Sequence, residues 1–206
     1  MSLNSKLDII LGPMFSGKTT KLLEIMDTFD EQNIKYLAVK PKIDDRYTSG
    51  SKDTNFIVSH NLKKKECKLI NNLKEILEEI KKFKTIESTR SDSIKYIIID
   101  EAQFFDNLYN FCIICLERFG INVVVTGLDG DYQRKPMGEI LNLLPIANTI
   151  TKLKSTCHIC KGEAIFTHRF AGNSDQVLIG GSDCYYPLCR EHYVKENNLS
   201  TESFDF

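Results

Sequence analysis

Residues 7–19, LDIILGPMFSGKT, predict a β-strand, a glycine-rich turn and the first turn of a helix. Leu7 to Leu11 is a short, mostly apolar run, and Gly12 to Lys18 forms the turn. From Thr19 onward the apolar residues recur at helical spacing, at Leu22, Leu23, Ile25, Met26 and Phe29. A strand that leads through such a turn into a helix is suited to binding phosphate groups at the helix N-terminus.

The turn also matches the phosphate-loop pattern G-x-x-x-x-G-K-[ST], with the residues Gly12, Pro13, Met14, Phe15, Ser16, Gly17, Lys18 and Thr19. In this pattern backbone N–H groups surround a phosphate, Lys18 reaches the β- and γ-phosphates, and the Thr19 hydroxyl ligates Mg²⁺. The alternative is a chance turn that contains a lysine, but the flanking strand and helix favour a nucleoside triphosphate site.

Three further apolar runs predict buried strands: Tyr36 to Val39, Ile94 to Ile99, and Val123 to Thr126. Short continuous apolar runs between helical patterns are typical of strands that are buried on both faces of a parallel sheet. The sequence therefore predicts an α/β fold over residues 1–150, a parallel sheet flanked by helices of the P-loop NTPase type. The segment Lys63 to Lys84 is expected to be an exposed surface helix.

The third run ends at two acidic residues, Asp100 and Glu101. A phosphate loop needs an acid at the end of a neighbouring strand to hold magnesium, and Asp100 is placed for that role. Glu101 is then available to take a proton from an attacking hydroxyl or to orient a water molecule. These residues alone leave kinase and hydrolase open.

Composition limits the partners and the location of the chain. It has 206 residues, seven cysteines and a formal net charge of −1. The balanced charge provides no basic field for a nucleic-acid backbone, and no apolar run approaches the length of a membrane span. Cysteines without a recognisable export signal favour a cytoplasmic protein that uses thiols to bind metal. We therefore expect neither nucleic acid nor membrane as a partner.

Two cysteine-containing knuckles predict a zinc site. Cys157 and Cys160 form one, and Cys189 and His192 form the other, which is the paired spacing of a tetrahedral zinc. Four protein ligands favour a structural role over a catalytic or redox one. The expected zinc module covers residues 151–197, and 198–206 is expected to be a flexible tail.

A second cysteine pair, Cys112 and Cys115, is expected to be different. It belongs to a helical apolar stripe within Leu108 to Phe119, so these two cysteines are predicted to be core residues.

Taken together, five segments resemble the thymidine kinase family of the cellular, zinc-containing type. They cover nearly the whole chain and are Ile10 to Thr19, Asp44 to Tyr47, Ile99 to Phe105, Gly127 to Pro136, and Cys157 to His192 with Ile179 to Tyr185 inside it. The resemblance implies a RecA-like core and a small zinc-ribbon module. The chain departs from the family pattern at Ala102, Tyr132, Met137 and His192.

The resemblance also implies roles at the phosphates. Glu101 resembles the general base that accepts the proton of a 5′-hydroxyl, with Lys18, Arg46 and Mg²⁺ neutralising phosphate charge. Arg169 is a weaker candidate for a similar part. The remaining ATP-binding positions implied are Asp44, Asp45, Asp100, Ala102 and Gln103.

Further implied roles concern the pyrimidine base. Phe104 and Tyr132 match aromatic positions that flank the ring, and the pocket for the 5-methyl group is implied at Met14, Leu128, Thr167 and Tyr185. The lasso, a loop whose backbone binds the ring edge, is implied at Gln176, Val177, Leu178, Ile179 and Gly180.

The resemblance finally implies an ATP-dependent thymidine kinase that also accepts deoxyuridine, is inhibited by thymidine triphosphate and forms a homotetramer. Two other classes remain as alternatives. One is an ATPase or GTPase switch, against which the missing Asn-Lys-x-Asp motif argues in the GTPase case. The other is a zinc ribbon that binds nucleic acid, which requires a basic surface on residues 152–197.

Overall fold

The structure of the chain is a computed structural model. It describes residues 4–43, 55–59, 62–86, 93–172 and 174–199, and for residues 83–86 it describes the backbone only. Asp44, Asp45 and Arg46 lie outside the described residues, as do residues 200–206 of the expected tail.

Twelve strands and four α-helices make up the described regular structure, together with 3₁₀ helices at Ala102–Phe104 and Ile140–Ile146 and a π-helical turn at Ile114–Arg118. The strands are β1 (Leu7–Leu11), β2 (Tyr36–Pro41), β3 (Phe56–Val58), β4 (Lys64–Glu66), β5 (Lys68–Ile70), β6 (Tyr96–Ile99), β7 (Asn122–Gly127), β8 (Thr149–Lys152), β9 (Ser155–Thr156), β10 (Glu163–Ala164), β11 (Phe166–Arg169) and β12 (Tyr185–Leu188). The helices are α1 (Lys18–Glu31), α2 (Lys74–Ile86), α3 (Leu108–Ile113) and α4 (Arg190–Glu196).

The centre of the fold is a parallel sheet of six strands in the order β5-β2-β6-β7-β1-β8. The α/β prediction is confirmed, and the four predicted apolar runs are the four inner strands. The carboxyl ends of β1, β6 and β7 lie side by side, because Leu11 pairs with Gly127 and Ile99 pairs with Val125. The phosphate loop and the acids Asp100 and Glu101 therefore emerge at the same edge.

Both faces of the sheet are buried, which explains why its strands are continuous apolar runs. On one face Ile10, Ile98 and Val124 pack against α1 through Leu22 and Met26. On the other face the alternate strand residues pack against α2 and α3 in a larger cluster that includes Ile9, Ile97, Val125, Ile80 and Phe111.

The predicted exposed helix over Lys63 to Lys84 is wrong in its first part and in its exposure. The segment begins with β4 and β5, and α2 starts only at Lys74. β5 completes one side of the sheet by pairing with β2, since Leu69 lies opposite Lys40. Ile76 and Ile80 are buried, because the helix covers the sheet with its apolar stripe while its charged residues face solvent.

The helical stripe at Leu108 to Phe119 is confirmed as α3 and the π-helical turn that follows it. Cys112 and Cys115 are fully buried in the core, as predicted. Burial raises the pKa of the Cys112 thiol, so this cysteine is protonated at neutral pH.

The C-terminal residues build a small structure of their own. β8 extends the sheet to Lys152, so the expected boundary at residue 150 falls inside this strand. β9 and β10 form one antiparallel pair, β11 and β12 form another, and α4 packs beside them. Their shared core is small and contains Cys157, Ala164, Leu188 and Tyr193. Among the described residues, no helix combines the length and apolar character needed to span a bilayer.

Candidate active site

The phosphate loop lies between β1 and α1 and has the backbone form that its pattern predicts. Phe15 and Gly17 have positive φ angles of 62° and 82°, which turn the chain back on itself. Lys18 is nearly buried, and its Nζ atom donates to the carbonyl oxygens of Gly12 at 3.0 Å and Pro13 at 2.8 Å. The lysine therefore lies along the loop, with its charge where phosphate oxygens would be held.

Two features of the loop fit a phosphate ligand. Space is tight at Gly12, where a Cβ atom would lie 2.7 Å from both the Leu153 carbonyl oxygen and Ser16 Oγ. Ser16 Oγ is itself buried and has no hydrogen-bond partner within the described part of the chain. A buried hydroxyl without a partner is costly, and a bound anion next to this loop would satisfy it.

The two predicted acids follow β6 directly. Asp100 is buried and accepts hydrogen bonds from the Thr126 hydroxyl and from the backbone N–H of Glu101, the latter at 3.0 Å. Glu101 is half-buried and has a φ of 50°, the left-handed region that a glutamate adopts only at a cost of about 1–3 kcal/mol. Such a conformation is common at functional sites, and here it turns the carboxylate toward a pocket.

The pocket lies beside the phosphate loop and encloses about 460 Å³, including its open mouth. Its lining residues are Met14, Glu101, Gln103, Phe104, Leu128, Gly130, Asp131, Tyr132, Met137, Thr167, Arg169, Gln176, Val177, Leu178, Ile179, Gly180 and Tyr185. This mixture of apolar walls with a few polar groups is typical of sites for small molecules.

The C-terminal residues close the pocket from one side. Arg169 on β11 donates to the backbone carbonyls of Asp175 and Gln176, the latter at 2.9 Å. Its guanidinium stacks 3.9 Å from the ring centroid of Tyr132 and lies 5.2 Å from that of Tyr185. The resemblance suggests Arg169 as a weaker candidate for a role at the phosphates; in the structure its guanidinium contacts the lasso and these two aromatic rings.

Further hydrogen bonds fix the lasso (Gln176 to Gly180). The Tyr185 hydroxyl donates to the Leu178 carbonyl at 2.8 Å. The Gln176 side-chain amide donates to Asp131 Oδ2 at 2.9 Å and to the Pro136 carbonyl at 3.2 Å. The lasso is thus attached both to the small C-terminal sheets and to the loop that follows β7.

A buried hydrogen bond joins the phosphate loop to the C-terminal part of the site. The backbone N–H of Met14, within the phosphate loop, donates to the Thr167 hydroxyl on β11 at 3.0 Å. Both residues are buried, so this contact holds the pocket wall in a fixed position relative to the loop.

The four predicted metal ligands are brought together. The ligand atoms of Cys157, Cys160, Cys189 and His192 all lie within 4.8 Å of one another, and the sulfurs of Cys160 and Cys189 are 3.9 Å apart. A tetrahedral zinc with Zn–S bonds of about 2.3 Å places its sulfurs about 3.8 Å apart. Burial raises the pKa of the Cys157 thiol, but backbone N–H groups of Cys189, Cys160 and Ile159 outweigh it and lower the pKa. The donor set fits zinc.

The metal knuckles also contact the pocket through α4. Tyr193 follows His192, and its hydroxyl donates to the backbone carbonyl of Tyr132. Tyr132 in turn donates from its own hydroxyl to the Ser174 carbonyl at 3.0 Å, next to the lasso. A change in the position of α4 is therefore transmitted to the pocket wall.

Comparison with known proteins adds independent evidence. Residues 5–193 match the family model described as thymidine kinase. The chain belongs to the thymidine kinase family. It is accordingly a kinase, an enzyme that transfers a phosphoryl group, and the resemblance noted from the motifs is confirmed.

Relatives within the thymidine kinase family come from distant organisms. The chain is 39% identical to "Thymidine kinase" of Oryza sativa subsp. japonica, covering 92% of this chain and 66% of the relative. It is 38% identical to "Thymidine kinase a" of Arabidopsis thaliana, over 90% and 74% of the two chains. It is 35% identical to "Thymidine kinase, cytosolic" of Homo sapiens, over 93% and 74%.

The sequence does not identify some of the residues that support the site in this family member. Thr126, which donates to Asp100, ends an apolar strand and was treated only as part of that strand. Asp131 and Tyr193 act through contacts to segments that are 45 and 61 residues away. The position of Asp131 inside the Gly127 to Pro136 segment, which carries the resemblance, is the only sequence feature that points to a role for it. For Tyr193 the corresponding feature is its position next to His192, a predicted metal ligand.

Proposed function

We propose that the chain transfers the γ-phosphoryl group of ATP to the 5′-hydroxyl of thymidine, and to that of deoxyuridine, giving the 5′-monophosphate for nucleotide salvage and DNA synthesis. This proposal rests on one observation: the pocket and the phosphate-binding region share a wall. Met14 and Glu101 line the pocket, and both belong to the phosphate-binding region. A nucleoside in this pocket would meet the end of a triphosphate at Glu101.

On the acceptor side, Glu101 serves as general base. Its carboxylate takes the proton of the 5′-hydroxyl while that oxygen bonds to the γ-phosphorus, and the bond from phosphorus to the bridging oxygen breaks with its electrons leaving on ADP. Because phosphoryl transfer has a loose transition state, most of the acceleration comes from positioning and charge.

On the donor side, Lys18 and the loop N–H groups hold the phosphates. The Thr19 hydroxyl and the Asp100 carboxylate are oxygen donors of the type that Mg²⁺ prefers, and they would hold it. When bound, Mg²⁺ neutralises the developing phosphate charge. Asp44, Asp45 and Arg46 are proposed for the same region from the resemblance alone, and Ala102 lies directly beside the acids.

In the nucleoside pocket, Phe104 and Tyr132 are proposed to flank the pyrimidine ring, since flat apolar faces suit a planar heterocycle. Met14, Leu128, Thr167 and Tyr185 would surround the 5-methyl group. The lasso would bind the ring edge through backbone groups. The fixed hydrogen bonds of Gln176 and Tyr185 support this arrangement, because they hold the lasso over the pocket.

The remaining proposals concern organisation. The proposed division is a RecA-like nucleotide-binding domain over about residues 1–150, whose last strand β8 continues to Lys152, followed by a zinc-ribbon module that carries the lasso and extends to residue 197. The zinc is structural, because four protein ligands leave no open position. We further propose a cytoplasmic homotetramer that thymidine triphosphate inhibits; native mass spectrometry tests the assembly.

The decisive experiment compares the wild type with Glu101→Gln in a thymidine-dependent ADP release assay. We expect the substitution to lower kcat by about 10²- to 10⁴-fold, since it removes the base, while thymidine still binds. Glu31→Gln, an exposed change at the end of α1, is the matched control and keeps full activity. ATP turnover that is equally fast without nucleoside would instead identify an ATPase.

A further inference from the structure

The amide of Gln103 is a polar side chain enclosed by the active site. It lies in the 3₁₀ turn that follows Glu101 and is only 4% exposed. Burying an amide is unfavourable unless both of its ends form hydrogen bonds. The hydrogen-bond partners of this amide therefore indicate what the Gln103 side chain does in the site.

Each end of the Gln103 amide has one defined partner. The backbone N–H of Leu128 lies 3.1 Å from Oε1, and because an N–H can only donate, this contact fixes which end of the amide is the oxygen. The nitrogen Nε2 must then face Glu101, and it donates to Oε2 of that carboxylate at 2.6 Å. The orientation of the amide follows from the backbone rather than from a choice between two rotamers.

Two glycines lie close to Gln103, one against its side-chain amide and one against its backbone carbonyl. A Cβ atom on Gly127 would lie 2.5 Å from Gln103 Oε1, and a Cβ atom on Gly138 would overlap the Gln103 carbonyl oxygen. Gly138 also has a φ of 59°, a conformation that favours glycine. The chain therefore packs closely around Gln103 on the side away from Glu101.

We propose that Gln103 is a positioning residue for phosphoryl transfer: its amide holds the Glu101 carboxylate at a fixed distance from Leu128, a wall of the nucleoside pocket. This inference rests on the proposed function, in which Glu101 is the base. The resemblance implies instead that Gln103 contacts ATP. In the structure, both described side-chain hydrogen bonds of Gln103 are to residues that line the nucleoside pocket, Glu101 and Leu128.

The test is the substitution Gln103→Glu. It retains an oxygen for the Leu128 N–H and replaces the donor to Glu101 with a second carboxylate oxygen of nearly the same size. Two carboxylates at this separation repel each other, which favours a proton on one of them, so the acidic limb of the pH–kcat profile moves up by about one pH unit. We expect kcat at pH 7 to fall about tenfold or more, because Glu101 also loses the donor that positions it, with the KM for ATP nearly unchanged.

Two further variants make the result specific. Gln32→Glu is the same change at an exposed residue that follows α1, and it leaves kcat and the pH profile as in the wild type. Gln103→Met removes the donor without adding charge, so kcat falls but the acidic limb moves less than in Gln103→Glu. Thymidine binding, measured by calorimetry, shows that each variant is folded.

The outcomes separate this inference from the function on which it rests. If Glu101→Gln is inactive while Gln103→Glu keeps the wild-type kcat and pH profile, the positioning role is wrong and the kinase mechanism stands. If Gln103→Glu and Gln103→Met lower kcat equally without moving the acidic limb, Gln103 has only a structural role. If Glu101→Gln is fully active, the base assignment fails and this inference fails with it.

Discussion

Replacing Arg169 with lysine tests whether this residue acts on the lasso or on the phosphates. Arg169 makes two hydrogen bonds to lasso-side carbonyls and stacks 3.9 Å from the Tyr132 ring centroid. Lysine keeps the positive charge but lacks the planar fork, so we expect it to lose one of the two hydrogen bonds as well as the stacking. The substitution therefore isolates geometry from charge.

The expected magnitude follows from these contacts. A hydrogen bond from a charged donor contributes about 1.5 kcal/mol at the lower end of its range, which suits a partly exposed arginine. Stacking on Tyr132 contributes about 0.5 kcal/mol more. A loss of about 2 kcal/mol in holding the lasso corresponds to a roughly 30-fold rise in the Kd for thymidine. The KM for ATP should stay within about twofold of the wild type.

Isothermal titration calorimetry with thymidine and steady-state kinetics with varied ATP measure the two quantities separately. Arg118→Lys is the matched control, because Arg118 also lies over an aromatic ring, Phe119, but on the remote π-helical turn. An unchanged thymidine Kd together with a raised KM for ATP would refute the lasso role and return Arg169 to the phosphates.

Three further predictions concern the zinc module and the core. Tyr193→Phe removes the hydrogen bond to the Tyr132 carbonyl, so thymidine KM should rise about fivefold while the metal content by atomic emission stays constant. Removing zinc with a chelator should weaken thymidine binding before ATP binding, as followed by calorimetry at increasing chelator concentration; simultaneous loss of both would contradict a local role. Ile80→Ala should lower the free energy of unfolding by about 2–5 kcal/mol in urea titrations, because Ile80 is 2% exposed, whereas exposed Lys82→Ala should change it little.

The sequence was sufficient for features that depend on local pattern. The inner strands are continuous apolar runs because both sheet faces are buried, as Ile9 on one face and Ile10 on the other show. The cluster of Cys157, Cys160, Cys189 and His192 was predictable because the spacing of each knuckle brings its two side chains together. The acids Asp100 and Glu101 were predictable because strand ends share one edge of a parallel sheet.

Other features were not predictable because they depend on contacts between distant segments. β5 and β8 are short edge strands, and β8 is exposed, so neither has the apolar run that identifies a buried strand. The contact of Arg169 with Tyr132 joins residues with no shared pattern. The orientation of the Gln103 amide depends on the backbone N–H of Leu128, which follows it by 25 residues.

The hydrogen bond between Met14 and Thr167 limits how a nucleoside can enter and leave. Because β11 is fastened to the phosphate loop, the zinc module cannot swing away as a rigid body without disturbing the loop. A nucleoside that enters or leaves would instead have to displace the lasso, which is held by the side chains of Arg169, Gln176 and Tyr185. Substrate exchange of this kind would leave the phosphate loop undisturbed between turnovers.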